Sequence, residues 1–180
     1  MHSTGLSSFR TKPHVAPFVG PPWYVAGAWL TAAVAAQATI VHYFTLRGVA
    51  PSFVLVVVVW YAIRVDAQRA AVYGLLAGAC EDALSAGTGA AWMISTSLTA
   101  VLAGLLSRGF FADSIPLVSA VTATATLLRA LLFWIVMALG GYPAGLGAMH
   151  FHAALLQAAL NVTVAVGGML VTRRFEGAHQ

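Results

Sequence analysis

Charged residues are what this sequence has least of. They fill 8% of its 180 positions, while 60% are hydrophobic; a soluble domain carries about a quarter charged residues. That deficit excludes a water-soluble globule, which needs polar surface to coat it. Cysteine is nearly absent too. Cys80 stands alone, so neither an internal disulfide nor a thiolate metal knot is available. The formal net charge is +4, but the basic residues are scattered at segment ends. They form no basic face for nucleic acid and read instead as topology signals. The first 22 residues hold Arg10, Lys12 and four prolines, with no apolar core and no small-residue cleavage site. A short cytoplasmic tail is expected there, not a cleaved signal. Also missing are H-E-x-x-H, G-x-S-x-G, Walker A, and G-x-G-x-x-G in a strand context. His150 and His152 are two apart, which is not the spacing of a helical metal pair, and they read as interfacial residues. No metal, cofactor or catalytic set is expected.

What the sequence does have is long apolar runs: Trp23–Phe44, Pro51–Ile63, Ala70–Leu84, Ala90–Leu106, Ile115–Leu139 and Phe151–Val171. A helix crossing about 30 Å of hydrocarbon needs about 20 residues. The expected fold is an all-α integral membrane protein, a six-transmembrane-helix bundle over residues 23–172, with tails at 1–22 and 173–180. The second run is too short to cross unless Leu46–Ala50 extend it or the bilayer thins. With six spans and both termini cytoplasmic, seven basic residues lie inside and only Arg47 outside, as the positive-inside rule favours. A re-entrant second run with five spans gives a smaller bias. The aromatics near span ends, such as Trp23, Trp60 and Tyr142, read as interface anchors.

Positions 74–87 read GLLAGACEDALSAG and place Glu81 and Asp82 inside an apolar run. At 1.5 Å per residue, Asp82 lies roughly 20 Å beyond Arg69, Arg129 roughly 21 Å beyond Ile115, and Asn161 roughly 18 Å before Arg173. Three helices thus bring polar groups to one level. Gly74, Gly78 and Asp82 are spaced i, i+4, i+8, with Ser85 and Gly87 following, a small and polar stripe suited to helix packing or a partner. Ser119, Thr122, Thr126 and Arg129 form a second stripe; Gln157, Asn161, Ala165 and Gly168 form a third. Each buried charge costs about 2.5–3.5 kcal/mol on an insertion scale, whereas a Leu or Val returns only about 0.3–0.6. The acids therefore need partners. Arg129 is expected to neutralise one of them through a two-pronged contact, leaving Glu81 uncharged or beside an aqueous opening. Adjacent helical residues point about 100° apart, so the two acids cannot flank one scissile bond. A polar core fixing helix register, or a ligand or partner site, are the readings left. Asn161-Val-Thr163 matches a glycosylation sequon but lies within a span.

Several features resemble MreD, the rod shape-determining membrane protein family of bacteria. They are the uneven spans, a short second span opening PSFVLVVVVWYAIR, the run GLLAGACEDALSAGTG, and a last span bearing LNV before RR. Gly74, Gly78, Asp82, Leu84, Ser85 and Gly87 carry the most specific part, and Asn161 matches an asparagine of the family's last helix. Glu81 is an additional acid, and Arg129 stands where the family more often has an acidic or neutral residue. The resemblance implies a non-catalytic protein of the bacterial cytoplasmic membrane that binds single-span MreC. It would help link MreB filaments to the RodA–penicillin-binding-protein synthase, with room for a homodimer. It also implies a fold similar to the substrate-binding subunit of energy-coupling-factor vitamin transporters. In that alternative, Asp82, Arg129 and Asn161 would line a small-molecule pocket.

Overall fold

The structure is a computed structural model, and it describes residues 20–85, 88–107, 114–141 and 143–177. Among the described residues six α-helices follow one another: α1 (Trp23–Thr39), α2 (Phe53–Ala62), α3 (Ala67–Leu84), α4 (Ala91–Leu106), α5 (Ile115–Leu139) and α6 (Gly147–Gly177). Short 3-10 turns precede α2 and α6. Two helical segments, Ile115–Leu139 and Gly147–Arg174, are long and apolar enough to cross a membrane by themselves. The last helix passes position 172 without a break, so the stretch expected as a tail starts as helix.

The short α2 is the hub. Its sequence, FVLVVVVWYA, is apolar on every side, the pattern of a helix buried all round. It packs against all five other helices, and Val54, Leu55, Val58, Val59 and Ala62 are sealed from solvent. At 10 residues it is only about 15 Å long, half a hydrocarbon layer. Leu46–Ala50 do not extend it. They form a tight reversal in which Leu46 and Val49 exchange backbone hydrogen bonds of 2.8 and 2.9 Å. Arg47 and Gly48 occupy positive φ, 52° and 80°, as a primed two-residue turn requires. The glycine adopts this without strain.

Polarity runs inward. Leu75 and Leu76 on α3, Leu98 and Leu102 on α4, Leu131 and Ile135 on α5, and Leu155 and Leu170 on α6 are exposed. Glu81, Arg129, Asn161, Thr96, Thr99, Thr122 and Thr126 are buried. Water would favour the reverse distribution; a hydrocarbon surround favours this one. Helices α3 and α4 approach closely because Gly74 and Gly78 lie at their contact. A Cβ on Gly74 would sit 2.8 Å from Ala100 Cβ, and one on Gly78 would sit 2.5 Å from Met93 Cα. The Gly74/Gly78 stripe is thus an internal packing face, covered by α4. By contrast, nothing lies within 4 Å of a Cβ on Gly168, so the α6 stripe leaves the core there.

At the other end of α3, Asp66 is the N-cap, accepting the Arg69 N–H at 2.9 Å. That backbone donor, helped by the Arg69 charge, holds the Asp66 carboxyl below its ordinary value. The Asp66–Arg69 ion pair at 3.4 Å is exposed on both sides and contributes little. We expect Asp66→Ala to cost about 1 kcal/mol, and Asp66→Ser to retain most of the cap. Because the folded-state pKa is depressed, the contribution is present above the unfolded carboxylate value near about 4 and fades as pH falls through the folded one. Unfolding midpoints of the two variants against pH would test this: the gap between wild type and Asp66→Ala should close in acid.

Candidate functional site: a buried polar network at the start of the second helix

A helix that starts inside a bundle must satisfy backbone groups that water would otherwise take. Ser52 is the N-cap of α2 and is 2% exposed. Its side chain accepts the Leu55 N–H at 3.1 Å, and its own N–H donates to Asn161 Oδ1 at 2.7 Å. The Phe53 N–H donates to Gln37 Oε1 at 2.8 Å, while Gln37 Nε2 donates to the Pro51 carbonyl at 3.3 Å. Gln157 Nε2 donates to the Ala50 carbonyl at 3.0 Å. Side-chain amides from α1 and α6 thereby clamp the backbone of residues 50–53, where the chain enters α2. This is how irregular chain is tolerated away from water: every backbone group described here is answered by protein.

Glu81 lies one turn before the end of α3, beside this clamp. Arg129 of α5 donates from Nη1 to both its oxygens, at 2.8 and 2.9 Å. Ser52 Oγ donates to Oε1 at 3.3 Å and Thr96 Oγ1 to Oε2 at 3.2 Å. Arg129 is 2% exposed, and its guanidinium carbon lies 4.8 Å from the Trp92 ring centre, a cation–π distance. Trp92 in turn stacks on Phe133 with centroids 4.1 Å apart. Asn161, fully buried, continues the chain by donating from Nδ2 to Thr126 Oγ1 at 3.0 Å. Arg129, Glu81, Ser52, Asn161 and Thr126 therefore make one connected path through four helices.

Asp82 is not on that path. Its Oδ1 accepts from Thr88 Oγ1 at 2.7 Å and from the Trp92 N–H at 3.2 Å, and Oδ2 accepts from the Met93 N–H at 2.8 Å. These amides open α4, whose N-cap residue, Ala90, has no capping side chain and sits at φ 69°. Asp82 supplies the cap from the neighbouring helix, where the positive end of the helix dipole favours a carboxylate. Two expectations are corrected here. Glu81, not Asp82, is the acid that neutralises Arg129. The contact comes from one nitrogen straddling both oxygens, not from a two-nitrogen fork. The cause is the 100° between adjacent residues: Asp82 follows the Gly74/Gly78 stripe toward α4, and Glu81 turns toward α2 and α5.

Ser85 ends α3 through its backbone N–H to Glu81 O, at 2.9 Å, and lines a cavity of about 150 Å³ above the Glu81–Arg129 pair. Gly87 lies outside the described residues, as do Arg108 and Tyr142. Sequence reasoning missed Gln37, Ser52 and Thr96. Gln37 is a lone amide within the first apolar run, and a Ser directly before such a run is an N-cap signal, so two of the three carried a readable mark.

We expect Asp82→Ala to remove the α4 cap and cost about 1–2 kcal/mol, with Asp82→Asn recovering part of it through its remaining acceptor. Detergent unfolding titrations of the two variants would measure this. A loss as large as that of Glu81→Ala would overturn the separation of the two acids.

The geometry describes a bundle whose buried charges pair with each other and with neighbouring hydroxyls, and whose amides hold its own backbone. No curated protein and no solved structure matches the chain. A family model described as rod shape-determining protein MreD matches residues 22–171. With that match extending over most of its length, the chain belongs to the MreD family of rod shape-determining membrane proteins.

Proposed function

We propose that this chain is a non-catalytic component of the bacterial cell-elongation machinery, seated in the cytoplasmic membrane. It would bind an MreC-like single-span protein and help couple MreB filaments to peptidoglycan synthesis by a RodA–penicillin-binding-protein pair. The observation that carries this reading is the family match over residues 22–171. The interior agrees with it: the donors on Glu81 and Asp82 are protein groups that hold helices together, an arrangement suited to a rigid scaffold. We further propose six crossings with both termini inside, α2 entering as a half-length helix supported by the amide clamp. The fold would be of the kind found in substrate-binding subunits of energy-coupling-factor transporters.

Depletion in a rod-shaped bacterium that depends on this chain, with purification of the tagged protein from the membrane, tests the proposal. Cells should round up, and a single-span coiled-coil protein should copurify. Rods that persist after full depletion would defeat the elongation role. Rounding without a copurifying single-span protein would defeat the partner.

A further inference from the structure

The cavity above the Glu81–Arg129 pair is lined by Gln37, Ser52, Glu81, Leu84, Ser85, Trp92, Arg129 and Gln157. Its volume of about 150 Å³ is several times the roughly 10–15 Å³ that one water requires by the same kind of measure. It is well below the roughly 300–1,000 Å³ of a pocket for a drug-sized ligand. The occupant is therefore small, or is the head of a larger molecule. The unused hydrogen-bonding capacity of the lining identifies its chemistry.

Glu81 has none to offer. Each of its oxygens already accepts two hydrogen bonds, Oε1 from Arg129 and Ser52 and Oε2 from Arg129 and Thr96, which fills the sites of a carboxylate. Arg129 uses only Nη1 on Glu81. Among the described residues its Nε and Nη2 donate to nothing, although the residue is 2% exposed and lines the cavity. Gln157 uses Nε2 on Ala50 and leaves Oε1 without a donor among the described residues. Ser85 Oγ is likewise without a hydrogen bond there. The cavity thus presents N–H groups that need an acceptor, those of the Arg129 guanidinium and the buried, unpartnered indole Nε1–H of Trp92, with an amide oxygen and a hydroxyl that can take a donor.

Charge then selects between acceptors. Arg129 is already neutralised by Glu81 at 2.8 Å, and Asp82 adds a carboxylate one residue away. An oxyanion would enter a low-dielectric site with no net positive charge to compensate its desolvation. A neutral amide or hydroxyl meets the same donors without that cost. We infer that this cavity binds a small uncharged ligand, or lipid headgroup moiety, bearing amide or hydroxyl groups. Its acceptor oxygen would sit on Arg129 Nε and Nη2, and its N–H or O–H would face Gln157 and Ser85. Leu84, at the end of α3, is the most exposed residue of the lining, and the ligand would enter beside it. The inference does not rest on the scaffold role.

The full chain in detergent micelles, with ¹⁵N-labelled arginine, tests it. The Arg129 Nε–H resonance would be followed during titration with acetamide, glycerol, acetate and inorganic phosphate. Acetamide and glycerol should shift it saturably, and acetate and phosphate should not. Ser85→Leu, which fills the mouth without touching any hydrogen bond described above, should abolish the shift while leaving the melting temperature unchanged. Leu84→Trp is a second plug should Ser85→Leu fold poorly. A resonance that no probe moves, one moved only by the oxyanions, or an undiminished response in a folded plugged variant would each overturn the site. A lipid-derived occupant would show as a mass increment in native mass spectrometry of wild type that both plugs remove.

Discussion

Glu81→Ala is expected to be the most damaging single truncation in this chain, with a loss of about 3–5 kcal/mol. The variant leaves the Arg129 guanidinium buried at 2% exposure with no counter-charge. It also strips Ser52 and Thr96 of the acceptor they share. The cost comes from stranding a charge, not from losing an attraction. Removing both charges together should therefore be much milder than removing one. Glu81→Gln with Arg129→Met keeps an acceptor oxygen for one of Ser52 and Thr96 and offers the other hydroxyl an amide N–H to accept, and it fills the guanidinium's place with an unbranched apolar chain. Replacing a buried pair in this way is often close to neutral. Unfolding titrations of both single variants and the double in detergent form a mutant cycle, and the expected coupling is large and favourable. If the double variant loses the sum of the two single losses, the pair is not a unit and the network is misassigned.

Set beside Asp82→Ala, the Glu81 variant ranks the two adjacent acids, and that ranking shows what sequence could and could not disclose. Helical phase placed Asp82 on the Gly74/Gly78 stripe, and the stripe exists: all three residues face α4. What phase cannot supply is the neighbour's chemistry. Nothing in the α4 sequence announces that Ala90 leaves the helix start uncapped, so an acid pointing there reads as a free charge seeking Arg129. Depth counting brings Arg129 and Asn161 to a common level, and the structure joins them through Glu81 and Ser52. The shortness of α2 was legible, since PSFVLVVVVWYAI is too brief to cross alone. Its burial by all five other helices was not, because a helix apolar all round is read equally as one surrounded by lipid. Gln37 illustrates a third limit. One amide in an apolar run signals a buried partner, but the partner is backbone at residues 51 and 53, and every sequence has backbone everywhere.

Gly78→Ala should be the second large effect, and it should have the opposite sign from the same change at Gly168. In an ordinary helix interior, Gly→Ala stabilises by about 0.5–1 kcal/mol through backbone entropy. At Gly168, with nothing within 4 Å of the new methyl, that gain should be realised. At Gly78 the methyl would lie 2.5 Å from Met93 Cα and 2.6 Å from the Trp92 carbonyl oxygen. Both are backbone atoms, so no rotamer change relieves the contact and α3 must move away from α4. Overpacking of this kind costs about 1–3 kcal/mol, and rigid backbone neighbours place Gly78 at the upper end. The movement also reaches the site. Met93 and Trp92 supply the amides that Asp82 caps, and the Trp92 ring lies beside Arg129. Once Gly78→Ala has pushed the helices apart, Asp82 has less cap left to lose. The double variant Gly78→Ala/Asp82→Ala should therefore be less destabilised than the two single losses combined, whereas pairing Gly168→Ala with Asp82→Ala should be additive. Detergent unfolding of these five variants measures both claims. Equal effects at Gly78 and Gly168 would mean that α3 and α4 are not held in the close contact on which the Asp82 cap depends.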